Sequence, residues 1–244
     1  MSTVRIDIND NANNANDHTI SKHTTQAIEI RNSAQDASSL DSEVVITNSV
    51  DTTSDSISVK VIETIEDSNK RDIETLNVAN YETINLESSK LATTVTAIEN
   101  NIDAITASSA TTMNLSGNSA IQIDAITGGK MTVFDASNLA AKLEVTFSSN
   151  DKITATAAQK DTVFTMGATL DNNDTIKGGA GTLDSLTATL STGATATTGA
   201  LSISDVETIT LSTGADNTLN LTNVTGASSI GVTTNAQTIT GYDL

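Results

Sequence analysis

Short runs in which apolar and polar residues alternate recur along most of the chain. The apolar members come in pairs two residues apart: Leu76/Val78, Ile84/Leu86, Met113/Leu115, Ile121/Ile123, Met131/Val133 and Leu143/Val145. The rhythm returns near the C-terminus as Ile209/Leu211, Leu219/Leu221 and Ile230/Val232, followed by Ile239. A period of two puts every second side chain on one face of an extended chain, so each pair marks a short strand with one buried face. Neighbouring pairs mostly lie about 8 to 12 residues apart, the spacing of strands joined by turns. Gly, Ser, Thr, Asn and Asp fill the gaps. Strand-sized fragments also repeat: IETLNV starts at Ile73, YETINL at Tyr81 and VETITL at Val206. The fragment IDAIT occurs at Ile102 and again at Ile123, 21 residues later.

This spacing predicts an all-β fold, a parallel β-solenoid or β-roll-like stack of short strands. A coil of two strands and two turns takes roughly 18–22 residues, within the range of repeat architectures. A 21-residue repeat then sets equivalent residues one above another. Threonine at outward positions suits a pleated surface. The chain has no proline, as expected where every central strand donates its backbone N–H to a neighbour. An antiparallel β-sandwich is the alternative, because it gives strands at the same spacing. Irregular turns and a few short helices are expected, the helices at Thr24–Ala37, Lys90–Asn101 and Ala136–Leu143. Residues 1–70 are polar and charged, with strand-like pieces at Val4–Ile8 and Ile57–Val61. They are expected to form an N-terminal cap or subdomain, and residues 71–244 a Thr-rich solenoid domain.

Composition narrows the chemistry. The 244 residues are enough to bury a sizeable core, but only 2% are aromatic, so that core rests on Val, Ile, Leu and Ala. The absence of cysteine excludes disulfides, thiolate metal sites and a cysteine nucleophile. A net charge of −18, with no Lys or Arg after Lys177, argues against a nucleic-acid partner, which requires phosphates to be neutralised. It suits cations instead. No run approaches the roughly 20 apolar residues of a membrane-spanning helix, and the start lacks the apolar core of a cleaved signal peptide. The only histidines, His18 and His23, fall in the polar N-terminal stretch and are expected at the solvated surface. With no Trp, two Tyr and three Phe, the aromatic platforms of sugar-processing sites are scarce. The chain is not expected to be an enzyme.

One passage, DNNDTIKGGAGTLDSL from Asp171 to Leu186, is both glycine-dense and aspartate-rich. A phosphate loop needs Lys and Ser or Thr after its last glycine, opening a helix. Here Gly181 is followed by TLDSLTATL, a turn and then a strand. The nonapeptide G-G-x-G-x-D-x-U-x, with U a large apolar residue, builds a calcium-binding β-roll. Glycines let the turn curl its carbonyl oxygens inward, and an aspartate completes a hard-oxygen shell. Asp174-Thr175-Ile176 matches the end of one such unit. Gly178, Gly179 and Gly181 open the next, which Asp184-Ser185-Leu186 closes. One extra residue separates Gly181 from Asp184, and Asp171 and Asn172 stand where earlier glycines belong. Both a calcium turn and an ordinary Gly/Asp bend remain open.

NDTIKGGAGTLDSLTATL together with VETITLSTGADNTLNLTNVTGASSIGVTT resembles the S-layer (surface-array) proteins of Gram-negative bacteria such as Caulobacter and Campylobacter. These are Thr-rich, Cys-free, acidic proteins related to the RTX group. The resemblance covers residues 70–244 in style and 171–186 and 201–240 in motif. It implies type I secretion through an uncleaved C-terminal signal, an extracellular location at the cell surface, and a structural, self-assembling role in a lattice on lipopolysaccharide. It also implies Ca²⁺ held by Asp171, Asp174 and Asp184 and the backbone of Gly178, Gly179 and Gly181. Without an evident secretion tail, the chain is expected to be a fragment of such a protein. An adhesin or passenger module of a type I-secreted, RTX-like protein is the alternative.

Overall fold

The computed structural model describes residues 2–8, 17–32, 42–63, 71–91, 99–148, 152–190, 201–213, 218–233 and 238–240. Two ten-stranded sheets face each other across a single core. The first runs β1 (Thr3–Ile8), β3 (Ala27–Asn32), β5 (Ser56–Glu63), β7 (Thr83–Lys90), β9 (Thr112–Gly117), β11 (Val133–Leu139), β13 (Thr154–Thr156), β15 (Thr175–Lys177), β17 (Ser202–Ser204) and β20 (Val224–Thr225). The second runs β2 (His18–His23), β4 (Glu43–Asn48), β6 (Arg71–Asn77), β8 (Glu99–Thr106), β10 (Ala120–Thr127), β12 (Leu143–Phe147), β14 (Thr162–Met166), β16 (Ser185–Leu190), β18 (Thr208–Thr213) and β21 (Ser229–Thr233). A third, two-stranded sheet pairs β19 (Thr218–Asn220) with β22 (Thr238–Thr240) in the last two coils.

The chain alternates between the two sheets, and every pairing among the described strands is parallel. The fold is therefore a β-solenoid, and the antiparallel sandwich is excluded. The two IDAIT copies lie in neighbouring strands, Ile102 against Ile123 and Ile105 against Ile126. Coils of 21 to 23 residues dominate the later part, as the bonds Ile153–Asp174, Thr162–Asp184 and Asp184–Glu207 record. Earlier coils exceed the expected length: Asp55–Glu82, Ala79–Ser108 and Asn48–Asn80 join residues 27, 29 and 32 apart. The expected boundary near residue 70 falls between β5 and β6. Ile6, Ile28 and Ile57 belong to the same buried cluster as Phe134 and Ile209.

No helix occurs among the described residues, and the helical expectations are corrected where described residues fall on them. Part of Thr24–Ala37 is β3, and residues 33–37 lie outside the described set. In Lys90–Asn101, β7 ends at Lys90 and β8 begins at Glu99, with residues 92–98 outside that set. Most of Ala136–Leu143 lies in β11 and at the start of β12. In β11 the register shifts between Asp135 and Asn138, so buried Ala136 and Leu139 stand three apart. A bulge inserts one residue into a strand, and the resulting interval of three imitates a helical repeat. It recurs in Ile73/Leu76, Ile102/Ile105 and Ile123/Ile126, all inward. The pair Met131/Val133 is also corrected: Met131 is buried, but Val133 faces out and Phe134 takes the inward place. Phe134 meets Phe147 edge-on at 5.2 Å, and Phe147 stacks on Phe164 at 6.5 Å. All three phenylalanines of the chain thus fill one section of the core.

Candidate functional site

The segment Asp171–Leu186 is a corner, a short strand and a second corner. Asp174 stands just before β15 in the first sheet, and Asp184 just before β16 in the second. The two aspartates are almost wholly buried, 2% and 0% exposed. Asp174 Oδ1 accepts the Ile153 amide of the preceding coil at 2.8 Å, and Oδ2 accepts the Asp171 amide at 2.8 Å. Asp184 Oδ1 accepts the Thr162 amide at 2.6 Å, and Oδ2 accepts the Gly179 amide at 2.9 Å. Asp171 turns away and accepts the amide of Asn173 at 2.6 Å. Each buried carboxylate therefore ties its own corner and binds it to the coil behind.

Asp184 is the middle member of a ladder. Its amide donates to Glu207 Oε2 at 2.7 Å, and Asp161 Oδ1 accepts the amides of Thr182 and Leu183. Asp161, Asp184 and Glu207 each immediately precede a strand of the second sheet, in three successive coils. Burial raises the Asp184 carboxyl above the ordinary carboxylate range, helped by the charges of Glu207 and Asp161 and opposed by its two amides. Burial pushes Asp174 up to about 6 against the Asp171 and Ile153 amides, with a further push from the Asp171 charge.

The glycines answer to the same stacking. A Cβ on Gly178 would lie 1.5 Å from the Asp205 carbonyl oxygen of the next coil. One on Gly179 would lie 1.8 Å from that of Ala158 in the previous coil, and one on Gly181 would lie 2.8 Å from Asp184 Oδ1. The Gly178 amide also donates to Ser204 O at 2.7 Å. Only a residue without a side chain passes between coils this close.

A calcium shell needs oxygens converging on one point. The buried carboxylates of Asp174 and Asp184 instead face amide hydrogens, and they stand at the corners of different sheets. Among the described residues no three acidic or histidine side chains gather as ligands. As arranged, Asp174 and Asp184 brace their corners through backbone amides. Compared with protein-family models, curated proteins and solved structures, the chain finds no match.

The pattern reading missed a second polar centre. His23, expected at the surface, is 3% exposed. The register of β2 slips between Ile20 and His23, where Lys22 takes a left-handed φ of 60°, and this turns His23 into the core. Its Nε2 lies 2.6 Å from the Gln26 carbonyl and must carry the hydrogen; Nδ1 then accepts the Tyr81 hydroxyl at 2.9 Å. Asp55 closes the neighbouring loop, accepting the Thr52 amide at 2.6 Å, the Thr52 hydroxyl at 2.7 Å and Asn48 Nδ2 at 2.7 Å. The Thr52 contacts and Asn48 hold Asp55 below the usual carboxylate range. Burial and the Asp55 charge push Tyr81 up to about 12. These groups floor an open cleft of about 470 Å³. The sequence signal was the first position shared by IETLNV, YETINL and VETITL, which Ile73, Tyr81 and Val206 occupy and which is buried in all three.

Proposed function

We propose that this chain is a structural module of an extracellular bacterial surface layer, exported by type I secretion and assembling with copies of itself. The observation that carries the reading is the continuous stack itself. One buried cluster runs from Ile6 to Val224 through both sheets, and corners are tied to the neighbouring coil by carboxylate-to-amide bonds such as those of Asp174 and Asp184. A solenoid of this kind is a spacer with two long faces, suited to bearing load and presenting repeated surfaces. Its net charge of −18 keeps copies apart until cations screen them. Calcium enters the proposal as that screening ion, and lipopolysaccharide as the anchoring surface.

Electron microscopy and sedimentation of the purified chain, with added Ca²⁺ and with chelator, test the reading. Ordered two-dimensional arrays that depend on calcium support it. Identical monomers under both conditions overturn it.

A second reading, an adhesin module of a type I-secreted protein, is favoured by one surface. The outward positions of β16, β18 and β21 lie in register: Ser185, Thr208 and Ser229 form one row, and Thr189, Ser212 and Thr233 another. Between them Thr187, Thr210 and Gly231 align. This uncharged hydroxyl grid is suited to a hydrogen-bonding surface. Binding of the monomer to whole cells, lost on replacing Thr187 and Thr210 by Lys, would favour the adhesin over the lattice.

A further inference from the structure

Where the chain passes from the second sheet back to the first, three successive corners are plugged by apolar side chains. Val78 and Tyr81 fill one, Ala107 and Ala110 the next, and Met131 the one after, all of them buried. The corner between β4 and β5 departs from this. Ser49 to Ser54 are all exposed there, and the one apolar residue among them, Val50, is 68% exposed. In place of a plug lies the open cleft of about 470 Å³, a volume within the range of small-ligand sites. Its floor is polar yet belongs to the core, because the His23 and Tyr81 that line it are 3% and 1% exposed.

The hydrogen-bond directions in that floor are fixed. His23 Nε2 holds its hydrogen toward the Gln26 carbonyl, so Nδ1 is the acceptor and the Tyr81 hydroxyl donates to it. The Tyr81 oxygen is left with lone pairs and no hydrogen to offer. Asn48 spends both Nδ2 hydrogens, on Asp55 Oδ2 and on the Asn80 carbonyl, and its Oδ1 accepts nothing among the described residues. Asp55 accepts three hydrogen bonds, one fewer than the roughly four a carboxylate can take. No Lys or Arg lines the cleft. It therefore presents acceptors and a negative charge.

We infer that this cleft is a binding site for a primary ammonium group carried by a small hydrophilic amine. One compact cation with three N–H donors matches the Tyr81 oxygen, the Asn48 amide oxygen and the remaining acceptor position of Asp55. Gln26 Nε2 and the hydroxyls of Ser49 and Ser56 make no bond within the chain and are left for the polar remainder of the ligand. An anion would meet Asp55 with no cation to offset it, and the cleft offers no exposed aromatic face on which a flat ring could stack. The site also gives the buried His23–Tyr81 pair a purpose: the histidine holds the tyrosine as an acceptor.

The test is an amide NMR titration of the whole chain with ethanolamine, and with ethylene glycol, in which a hydroxyl replaces the ammonium. Ethanolamine should give saturable shifts confined to residues 23–26, 48–56 and 81. Ethylene glycol should bind roughly tenfold more weakly or worse, the loss expected when a charge-assisted contact becomes a neutral one. Ser56→Lys sets the chain's own ammonium at the cleft wall and should weaken ethanolamine binding by roughly tenfold, whereas Ser56→Gln should change it by no more than about threefold. Tyr81→Phe keeps the ring, removes the acceptor oxygen and should weaken binding by roughly threefold to tenfold. Far-UV circular dichroism checks that each variant keeps its β structure. Equal binding of the two probes, shifts scattered over every acidic face, or an unchanged affinity in Ser56→Lys overturns the inference. The absence of any saturable shift overturns it as well. None of these outcomes depends on calcium-induced arrays, so the lattice reading stands or falls separately.

Discussion

Glu207 accepts the backbone amide of Asp184 at 2.7 Å across one coil of the stack. The same relation joins Glu82 to the Asp55 amide at 2.8 Å. In both places the glutamate belongs to an E-T doublet at the head of a strand, in YETINL and in VETITL. The two fragments serve different sheets, β7 and β18, yet they perform the same task. Replacing Glu207 by Ala should leave the Asp184 amide without that partner, at a cost of about 1–2 kcal/mol. Glu207→Gln keeps an acceptor oxygen and should recover most of the loss. Urea denaturation of the three proteins decides; equal midpoints for Ala and Gln would contradict the bond's role.

The corner glycines should be intolerant for a steric reason. Gly178→Ala and Gly179→Ala press a methyl group against carbonyl oxygens of adjacent coils and should each cost roughly 2–4 kcal/mol. Gly167 has nothing within 4 Å of the added atom, so Gly167→Ala should stay within about 1 kcal/mol of the parent. The differences should be the same in calcium and in chelator. A penalty that vanishes in chelator would assign these glycines to a metal site.

Asp174 gives an unusual pH dependence. Its carboxyl titrates at about 6 when folded, against 3.8 as the ordinary value. Between those limits the folded chain holds a proton that the unfolded chain has released. Stability therefore falls as pH rises from about 4 to about 6, on the order of 3 kcal/mol for this one group. Asp174→Asn cannot titrate. Relative to that variant, the melting temperature of the parent should drop over this window by several degrees and run parallel outside it. Parallel curves throughout would refute the assignment.

Tyr81 and His23 offer a spectroscopic check. Tyr81→Phe removes the hydrogen that His23 Nδ1 accepts and should cost about 1–2 kcal/mol. In the parent, ultraviolet titration of the two tyrosines should show one ionising near 12, and Tyr81→Phe should abolish that late step. A single ordinary transition in the parent would mean that Tyr81 is not buried beside Asp55.

The β-solenoid was legible in the chain because an interval of two and a repeat of 21 residues both follow directly from strand pleat and coil circumference. Ile102 over Ile123 is that inference realised. Helices were misjudged where bulges put inward residues three apart, as in Ala136 and Leu139; no single-chain pattern separates this from a helical face. The Asp171–Leu186 segment was recognisable as special, but its bracing of the stack was not. Gly178 and Asp184 act on residues 27 and 22 positions away, and that reach exists only once the coils are stacked. His23 was misplaced for a similar reason. One left-handed residue, Lys22, decides which way it points.

The bulge column in β6, β8 and β10 stops abruptly. Ile123 and Ile126, three apart, lie against Val145 and Phe147, which are two apart. This is a dislocation, one residue deep, and it has counterparts between β2 and β4 and between β9 and β11. Coils on one side of such a slip count differently from coils on the other. A coil duplicated, deleted or exchanged between slips keeps its inward residues in phase. The stack can therefore lengthen by copying its parts, but only within a run of coils that shares one count.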